Sequence, residues 1–257
     1  MTDKILFDKQ PNGIGILTFN RPSAKNALDL EAMRAFMGHI HHLQTDTSLR
    51  ALIITGAGND AFCSGGDLVE LSQYPSQDDA RHFIGIMGDA LLALERLTTP
   101  VIGAINGYAL GGGSEIAVAC DVRFVDDAVR LGFVQVKMAL TPGWGAGQRL
   151  LRIVGYSRAM ELLLSGRILG AQEIYTLGLA NSIANRGEAL QSAIIFAETI
   201  VQYDHDVVVG MKKLLRAGLV QPYEEALQME QDLFPPLWSA DAHLKAVDAF
   251  LNRNKDR

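Results

Sequence analysis

The sequence is poor in cysteine and contains no long apolar run. Cys63 and Cys120 are the only cysteines among 257 residues, too few for disulfides to stabilise a chain of this length, and this indicates a reducing compartment. No apolar run reaches the ~18 residues that a membrane span requires. The opening stretch MTDKILFDKQ lacks the basic-then-apolar order of a signal peptide. We therefore expect a cytoplasmic protein with no membrane partner.

Positive charge is also scarce. The chain has 23 Lys and Arg residues against 29 Asp and Glu, and because no basic run is present, nucleic acid is not an expected partner. The six histidines, at positions 39, 41, 42, 82, 205 and 243, lack the spacing of metal ligands, so no metal site is predicted. Hydrophobic residues make up 48% of the chain, which is enough for the core of one large globular domain.

Hydrophobic periodicity predicts alternating strands and helices in the first two-thirds of the chain. The stretch ALIITGAG, at 51–58, is a short apolar run closed by glycines, which is typical of a strand buried on both faces. PVIGAINGYAL, from Pro100, is a second strand-like run, and the apolar residues between Ala80 and Leu97 repeat at helical spacing. This alternation favours an α/β fold.

The last third of the chain is helical in pattern. Amphipathic patterns follow one another from about Gly143, and the final segment contains two of them separated by Pro235-Pro236, where we expect a break. We predict an α/β core over residues 1–195 and a C-terminal helical region over residues 196–257. Because the late helices have apolar faces, they require another surface to cover.

Two glycine-rich turns differ from the rest of the sequence. GGG at 111–113 precedes a lone acid, Glu115, at the head of an apolar run, and AFCSGGD at 61–67 follows a predicted buried strand. Glycine destabilises a regular element by roughly 0.5 to 1 kcal/mol relative to alanine, so three in succession indicate that another group approaches the backbone. An isolated GGG is typical of a tight packing turn, but two such turns can direct their N–H groups at one developing oxyanion.

The chain resembles the crotonase superfamily, also called the enoyl-CoA hydratase/isomerase family, in segments that occur in the family's order. These segments are NRPSAKNAL, AFCSGGD, GYALGGGSEIAVACD, TPGWGAGQRL and SRAMELLLSGRILGAQEIYTLGLAN. The likeness extends from residue 20 to residue 253, nearly the whole chain. Their joint spacing is far more specific than any single motif.

The resemblance implies a crotonase-like fold of repeated ββα units with a C-terminal helical trimerisation region, and a homotrimer or a hexamer made of two trimers. It implies an acyl-CoA thioester substrate and no separate cofactor. The thioester oxygen is expected to become an enolate that accepts hydrogen bonds from the backbone N–H groups of Ser64 and Gly112, with Glu115 catalytic in the same pocket. The alternative role of Glu115 is that of a first-turn acid that the helix dipole favours, and the surrounding match favours catalysis over it.

The resemblance also locates the coenzyme A and acyl parts of the substrate. The expected coenzyme A contacts are Ala24, Lys25, Asn26, Ala61, Gly66, Asp67, Leu68, Phe250 and Arg253. The last two match the family's C-terminal helix, which commonly reaches coenzyme A across a subunit boundary, and Arg253 stands where lysine is usual. Met138 and Trp144 are expected at the acyl pocket, with Trp144 either lining it or packing its floor.

Two further interpretations follow from local context. Asp67 is expected to cap the helix that follows the first glycine turn. Arg149 and Arg152 are expected to pair with acids on neighbouring helices.

One position departs from the family's pattern. Family hydratases use a second glutamate seven residues before the Pro-Gly of a PGxGG-like turn, and here that position, counted back from Pro142, is Gln135. Glutamine has no proton to transfer at neutral pH. The substitution therefore counts against ordinary hydration, and against the isomerases that generally rely on the same position.

Decarboxylation does not need this base, because loss of CO2 from a malonyl-type thioester generates the enolate directly. Glu115 is expected to orient the leaving carboxylate or to protonate the enolate, and Gln135 to donate its amide N–H to the carboxylate. FVQVKMALTPGW and YEEALQMEQDLFPPLW resemble the ethylmalonyl-CoA and methylmalonyl-CoA decarboxylase branch. We expect an acyl-CoA lyase that decarboxylates a short branched malonyl-CoA. The alternatives are a hydratase or isomerase that uses Glu115 alone, and a non-catalytic binding protein with this fold.

Overall fold

The computed structural model describes the backbone of residues 3–253 and the side chains of residues 3–252. Within this range the strands form two sheets. Their bounds are β1 Ile5–Lys9, β2 Ile14–Phe19, β3 Ala51–Gly56, β4 Ala61–Cys63, β5 Val101–Ile105, β6 Tyr108–Leu110, β7 Val122–Asp126, β8 Arg130–Gly132 and β9 Ser182–Ala184.

The larger sheet has six strands in the order β1-β2-β3-β5-β7-β9. β1 pairs with β2 in antiparallel fashion, and all other neighbours are parallel. Every residue of β3 and β5 is buried, as expected for central parallel strands covered on both faces. The prediction of a buried strand at 51–58 is confirmed.

The smaller sheet consists of the parallel strands β4, β6 and β8. The prediction of one strand from Pro100 is wrong, because the run divides into β5 and β6, which belong to different sheets. The buried Asn106 lies at the division and donates hydrogen bonds to the carbonyl oxygens of Gly56 and Gly58 at 2.8 and 2.6 Å. The adjacent Gly107 has no room for a side chain, since a Cβ there would lie 2.3 Å from the Asp60 carbonyl oxygen.

The pairs β3–β4, β5–β6 and β7–β8 each contribute one strand to each sheet before the chain enters a helical segment. This pattern confirms the expected repeat of ββα units. The α-helices are α1 Leu30–Leu43, α2 Leu68–Leu71, α3 Gln77–Arg96, α4 Gly112–Ala119, α5 Ala146–Val154, α6 Tyr156–Ser165, α7 Ala171–Thr176, α8 Ala189–Val201, α9 His205–Val220, α10 Tyr223–Trp238 and α11 Asp241–Arg253, with short 3-10 helices at Pro22–Ala24 and Val134–Met138.

Two hydrophobic cores lie on the two faces of the larger sheet. The main core joins this sheet to the smaller one and to α1, α3, α4 and α5. The second core lies under α8, where Ala193 and Ala197 pack against residues such as Ile53 and Ile102. The expected boundary between residues 195 and 196 falls inside α8, which packs on the larger sheet, and the division into two regions stays a prediction.

The C-terminal region is helical, as expected. α9 and α10 pack on each other, and α11 packs on α10. The break expected at Pro235-Pro236 is wrong, because α10 continues through both prolines and ends at Trp238. The two prolines lie in its last turn, where each removes one helix N–H donor, and the Ser239 hydroxyl donates to the Pro235 carbonyl oxygen at 3.3 Å. No helix within residues 3–253 is long and apolar enough to cross a membrane.

Candidate active site

Glu115 lies in the first turn of α4, and only 2% of its surface is exposed. Its carboxylate accepts four hydrogen bonds. Oε1 accepts from Gln135 Nε2 at 2.9 Å and from the Gly143 N–H at 3.3 Å. Oε2 accepts from the N–H groups of Trp144 at 2.7 Å and Ala146 at 3.0 Å. Two separate segments supply these four donors, the 3-10 helix after β8 and the turn before α5.

The four donors leave the Glu115 carboxyl group little free accepting capacity. A carboxylate has about four lone-pair sites, so these donors occupy its whole accepting capacity, and a proton on either oxygen would face an N–H group. They also compensate the cost of burying the charge.

The Gln135 amide has one partner and one free atom. Because a carboxylate only accepts hydrogen bonds, the amide nitrogen faces Glu115. The other amide atom, Oε1, is buried and accepts no hydrogen bond from the described residues. The structure thus brings the two predicted catalytic side chains together and leaves a buried acceptor beside them.

The two glycine-rich turns lie against each other. A Cβ on Gly113 would lie 1.8 Å from the Cys63 carbonyl oxygen, and a Cβ on Gly65 would lie 2.9 Å from the Gly112 nitrogen. Only glycine allows this approach. Gly112 is the first residue of α4, so its N–H has no acceptor within the helix and lies at the positive end of the helix dipole. This N–H is suited to a developing negative charge.

The Ser64 N–H differs from that of Gly112, because it already has an acceptor. It donates to the Lys25 carbonyl oxygen at 3.1 Å. Lys25 and Asn26 both adopt positive φ angles, 51° and 56°, in a loop that lies against the glycine turn at 61–67. A two-amide oxyanion hole requires the Ser64 N–H to share or leave this acceptor. The pair formed by Ser64 and Gly112 therefore stays a prediction.

Asn26 fixes the loop that contains Lys25. Its buried side chain accepts a hydrogen bond from the Arg21 N–H at 3.0 Å and donates to the carbonyl oxygens of Ala57 at 3.0 Å and Ala61 at 2.7 Å. Asn26 and Ala61 are both predicted coenzyme A contacts, but the Asn26 amide is fully used within the protein. The Asn26 backbone N–H is also bonded, to the Arg21 carbonyl oxygen at 2.9 Å, and the predicted contact of Asn26 with coenzyme A stays a prediction.

The other predicted coenzyme A residues divide by exposure. Lys25 and Leu68 are exposed, whereas Ala24 and Gly66 are half-buried. Asp67 caps α2 by accepting from the Val69 N–H at 3.2 Å. It also forms an ion pair with Arg21 at 2.9 Å. The predicted cap is confirmed. Through its ion pair with Arg21, Asp67 also connects the glycine turn at 61–67 to the loop that contains Lys25.

The C-terminal contacts lie on a helix with few neighbours. Phe250 is exposed on α11, whose main packing partner within the described chain is α10. The side chain of Arg253 lies outside the described residues. Their role in binding coenzyme A stays a prediction.

Trp144 packs beneath the N-terminus of α4. A Cβ on Gly112 would lie 2.1 Å from the Trp144 ring, and the ring is buried in the main core. Of the two expected roles, packing of the floor is the one that this contact favours. Met138 is exposed at the end of the 3-10 helix, and its role in an acyl pocket stays a prediction.

The backbone N–H groups of Gly143 and Ala146 are part of the site that sequence reasoning missed. Backbone donors leave no side-chain signal, and only the glycines of PGWGAG indicated a special turn. Arg149 supports this turn by donating to the Trp144 carbonyl oxygen and by forming an ion pair with Glu95 on α3. The predicted pairing is confirmed for Arg149, whereas Arg152 forms no ion pair with any residue that the structure describes.

The thiol of Cys63 contributes to the shape of the first glycine turn. Burial raises its pKa to about 12, so the thiol stays protonated at neutral pH and is not a nucleophile. Its sulfur accepts a hydrogen bond from the Gly65 N–H at 3.4 Å.

Comparisons with known proteins agree with this geometry. A family model described as enoyl-CoA hydratase/isomerase matches residues 9–257. The short-chain-enoyl-CoA hydratase of Clostridium acetobutylicum is 33% identical over 254 residues, which cover 98% of this chain and 96% of that protein. The ethylmalonyl-CoA decarboxylase of Gallus gallus is 33% identical over 246 residues, which cover 95% of this chain and 82% of that protein.

A solved structure is equally similar. The crystal structure of an enoyl-CoA hydratase from Bacillus anthracis superposes with a TM-score of 0.92 at 31% identity, covering 98% of this chain and 97% of that one. The match spans both sheets and the C-terminal helices. This protein is therefore a member of the enoyl-CoA hydratase/isomerase family, the crotonase superfamily.

Proposed function

We propose that this protein decarboxylates a short branched malonyl-CoA thioester. The observation that supports this most directly is the state of the two catalytic candidates. All four lone-pair sites of the Glu115 carboxylate are occupied, and Gln135 has no ionisable proton. Hydratases of the family use a second glutamate at the position of Gln135, and glutamine has no proton to transfer. Decarboxylation needs no base to form the enolate.

The chemistry of this step depends on the thioester oxygen. When the bond to the carboxylate breaks, its electron pair passes through the α-carbon to the thioester oxygen, and CO2 leaves. The Gly112 N–H at the start of α4 stabilises the new charge, and the Ser64 N–H joins it if the substrate oxygen displaces the Lys25 carbonyl. Each such donor contributes about 100-fold to 1,000-fold in turnover. No cofactor other than the coenzyme A of the substrate takes part.

Names of relatives support two versions of this chemistry. The ethylmalonyl-CoA decarboxylase of Gallus gallus supports decarboxylation, and the hydratase of Clostridium acetobutylicum, at the same 33% identity, supports hydration. We favour decarboxylation because of Gln135. Hydration or isomerisation with Glu115 as the single acid remains the second candidate.

The test is a direct assay of both reactions. The purified protein is incubated with methylmalonyl-CoA, with ethylmalonyl-CoA and with crotonyl-CoA, and mass spectrometry follows CO2 release and the acyl-CoA products. We expect release of CO2 from one or both malonyl thioesters. Rapid hydration of crotonyl-CoA without any CO2 release would overturn the proposal, and binding without either reaction would favour a non-catalytic protein.

Gln135→Glu separates the two enzymes. The new carboxyl group supplies the second acid that hydratases use, so a hydratase gains activity. A decarboxylase loses activity, because a second negative charge beside Glu115 disfavours the malonyl carboxylate.

We also propose that the protein self-associates. Met211, Leu215 and Leu219 form an exposed apolar row on α9, at the four-residue spacing of one helix face. The row borders a cavity of about 680 Å³ that is lined on another side by apolar residues of α8, such as Phe196 and Ile200. A second copy of the chain would bury this surface, in keeping with the trimer or hexamer that the family resemblance implies.

A further inference from the structure

Trp144 connects the two groups of the site that the proposed reaction uses. Its backbone N–H donates to Glu115 Oε2 at 2.7 Å. Its ring lies against the start of α4, where a Cβ on Gly112 would be 2.1 Å away, and the N–H of Gly112 is the predicted donor to the thioester oxygen. A displacement of Trp144 therefore moves the acid and the predicted oxyanion donor together.

The Trp144 carbonyl oxygen is held by Arg149, a buried arginine of α5. Arg149 Nη1 donates to this oxygen, and Arg149 Nε donates to the carboxylate of Glu95 on α3. Both hydrogen bonds come from one planar guanidinium group, so the direction of the carbonyl is fixed relative to α3. Arg149 thus anchors the turn at 143–146 to a helix outside the site.

Gly145 leaves room for the guanidinium group. Its φ angle is 102°, and a Cβ there would lie 2.5 Å from Arg149 Nη1. The guanidinium group therefore occupies the place that a side chain at position 145 would take, and both reasons require glycine. The turn is built around Arg149, which is more than an ion pair between two helices needs.

We propose that Arg149 is a positioning residue for catalysis, which acts through Trp144 on Glu115 and on the Gly112 N–H at the same time. Within the described chain Arg149 bonds to Trp144 and Glu95, and not to Glu115 itself. A displacement of about 1 Å in an active site can cost about 100-fold in rate. This inference rests on the proposed function, which gives Glu115 and Gly112 their roles.

Two variants test the anchor. In Arg149→Met, Glu95 keeps a second cation, Arg216 on α9 at 3.8 Å, so its carboxylate is not left without one. We expect kcat and kcat/KM for ethylmalonyl-CoA to fall equally, by about 100-fold. Arg149→Lys keeps the charge but lacks the planar fork that bonds the carbonyl and Glu95 together. We expect it to lose turnover by a smaller factor, with KM unchanged.

Fluorescence follows the anchor without any assay of activity. The chain has two tryptophans, and the other one, Trp238, is exposed on α10. In a Trp238→Phe background the emission comes from Trp144 alone. We expect Arg149→Met to shift this emission to longer wavelength and to increase its quenching by acrylamide, because the buried ring is no longer held.

The control is Arg152→Met, which removes an exposed arginine from the same helix. We expect this variant to keep both turnover and the Trp144 emission. If Arg149 only stabilised the fold, Arg149→Met would lower the midpoint of urea unfolding but leave the kcat of the folded protein and the Trp144 emission unchanged.

The outcomes distinguish this inference from the proposed function. Wild-type kcat in Arg149→Met or in Arg149→Lys overturns the inference and leaves decarboxylation intact, and so does a loss of turnover in Arg149→Met with unchanged Trp144 emission. If the protein hydrates crotonyl-CoA instead, the proposed function fails, and the same variants test Arg149 with crotonyl-CoA as substrate. Absence of both reactions overturns both proposals.

Discussion

Gly113 and Gly147 are each the second residue of a helix, α4 and α5, but their surroundings differ. A Cβ on Gly113 would lie 1.8 Å from the Cys63 carbonyl oxygen, whereas a Cβ on Gly147 would meet no atom within 4 Å. The first glycine is needed because the backbone of another turn occupies the place of its side chain. The second lies next to open space, where alanine fits.

These two glycines give a matched pair of variants. Gly113→Ala forces the two turns apart, so we expect the free energy of unfolding to fall by about 1 to 3 kcal/mol or more. Gly147→Ala should raise it by roughly 0.5 to 1 kcal/mol, because alanine is the better helix former. Urea unfolding followed by circular dichroism measures both. Equal effects of the two substitutions would contradict the contact between the turns.

Asn26 and Asn106 are the polar residues that stabilise the turn between β3 and β4. Both are buried, and both donate to backbone carbonyl oxygens between residues 56 and 61. A buried donor that loses its acceptor costs about 1 to 3 kcal/mol. Amide side chains suit this position because each satisfies several backbone groups that a loop of this shape leaves without partners.

At the scale of elements, helix starts depend on single carboxylates. Asp29 caps α1 by accepting from the Ala32 N–H at 2.8 Å, and it also pairs with Lys4 at 2.6 Å and Arg21 at 3.2 Å. Burial acts to raise the pKa of Asp29, but these partners together outweigh it and hold the pKa below the ordinary 3.8. A lowered pKa in the folded state stabilises the protein at every pH above the unfolded value.

Asp29→Asn tests this stabilisation. The amide keeps a capping oxygen but loses the charge, so we expect the free energy of unfolding to fall by about 1 to 2 kcal/mol near neutral pH. The stabilisation from Asp29 is lost as the pH falls through its lowered folded pKa, so the difference between the two proteins should narrow below pH 3.8. Urea unfolding of both proteins at neutral pH and below pH 3.8 measures this difference in the free energy of unfolding.

Asp206→Asn is the control for Asp29→Asn, because Asp206 is an exposed acid in the first turn of α9. We expect it to change stability very little at either pH. If Asp29→Asn lowers the free energy of unfolding by the same amount at both pH values, the shape of the side chain, and not its charge, accounts for the effect.

At the scale of the whole molecule, the C-terminal helices leave apolar surface uncovered. Leu215 is 69% exposed in the middle of the α9 row, and Phe234, Trp238 and Phe250 are exposed on α10 and α11. Single exposed apolar residues are ordinary, but contiguous patches indicate an interface. This distribution supports the proposed self-association.

Leu215→Glu tests self-association directly. We expect the wild-type protein to sediment as a trimer or hexamer in analytical ultracentrifugation, and Leu215→Glu to sediment as a smaller species, because a buried unpaired charge at an interface is strongly unfavourable. Leu6→Glu, at an exposed position on the edge strand β1, is the control and should leave the assembly unchanged. A monomeric wild-type protein would overturn the proposal.

The sequence by itself determined the features that depend on neighbouring residues. The buried strand β3, the cap at Asp67, the two glycine turns and the helical C-terminal region all follow from periodicity or from residue types a few positions apart. The order of the family's segments also identified the fold, because each segment forms one recognisable unit of it. The division of the run from Pro100 into two strands was missed, since it depends on Asn106 bonding to a turn some fifty residues earlier.

Only the tertiary structure decided which hydrogen bonds hold the residues of the site. The donors that surround Glu115 come from positions 20 to 31 residues further along the chain, and three of them are backbone N–H groups that no side-chain pattern reveals. The bond from the Ser64 N–H to the Lys25 carbonyl oxygen and the free Oε1 of Gln135 likewise depend on how distant loops pack. Hydrogen bonds between remote segments are set by the fold as a whole, so a single sequence names candidate catalytic residues but not the hydrogen bonds that hold them.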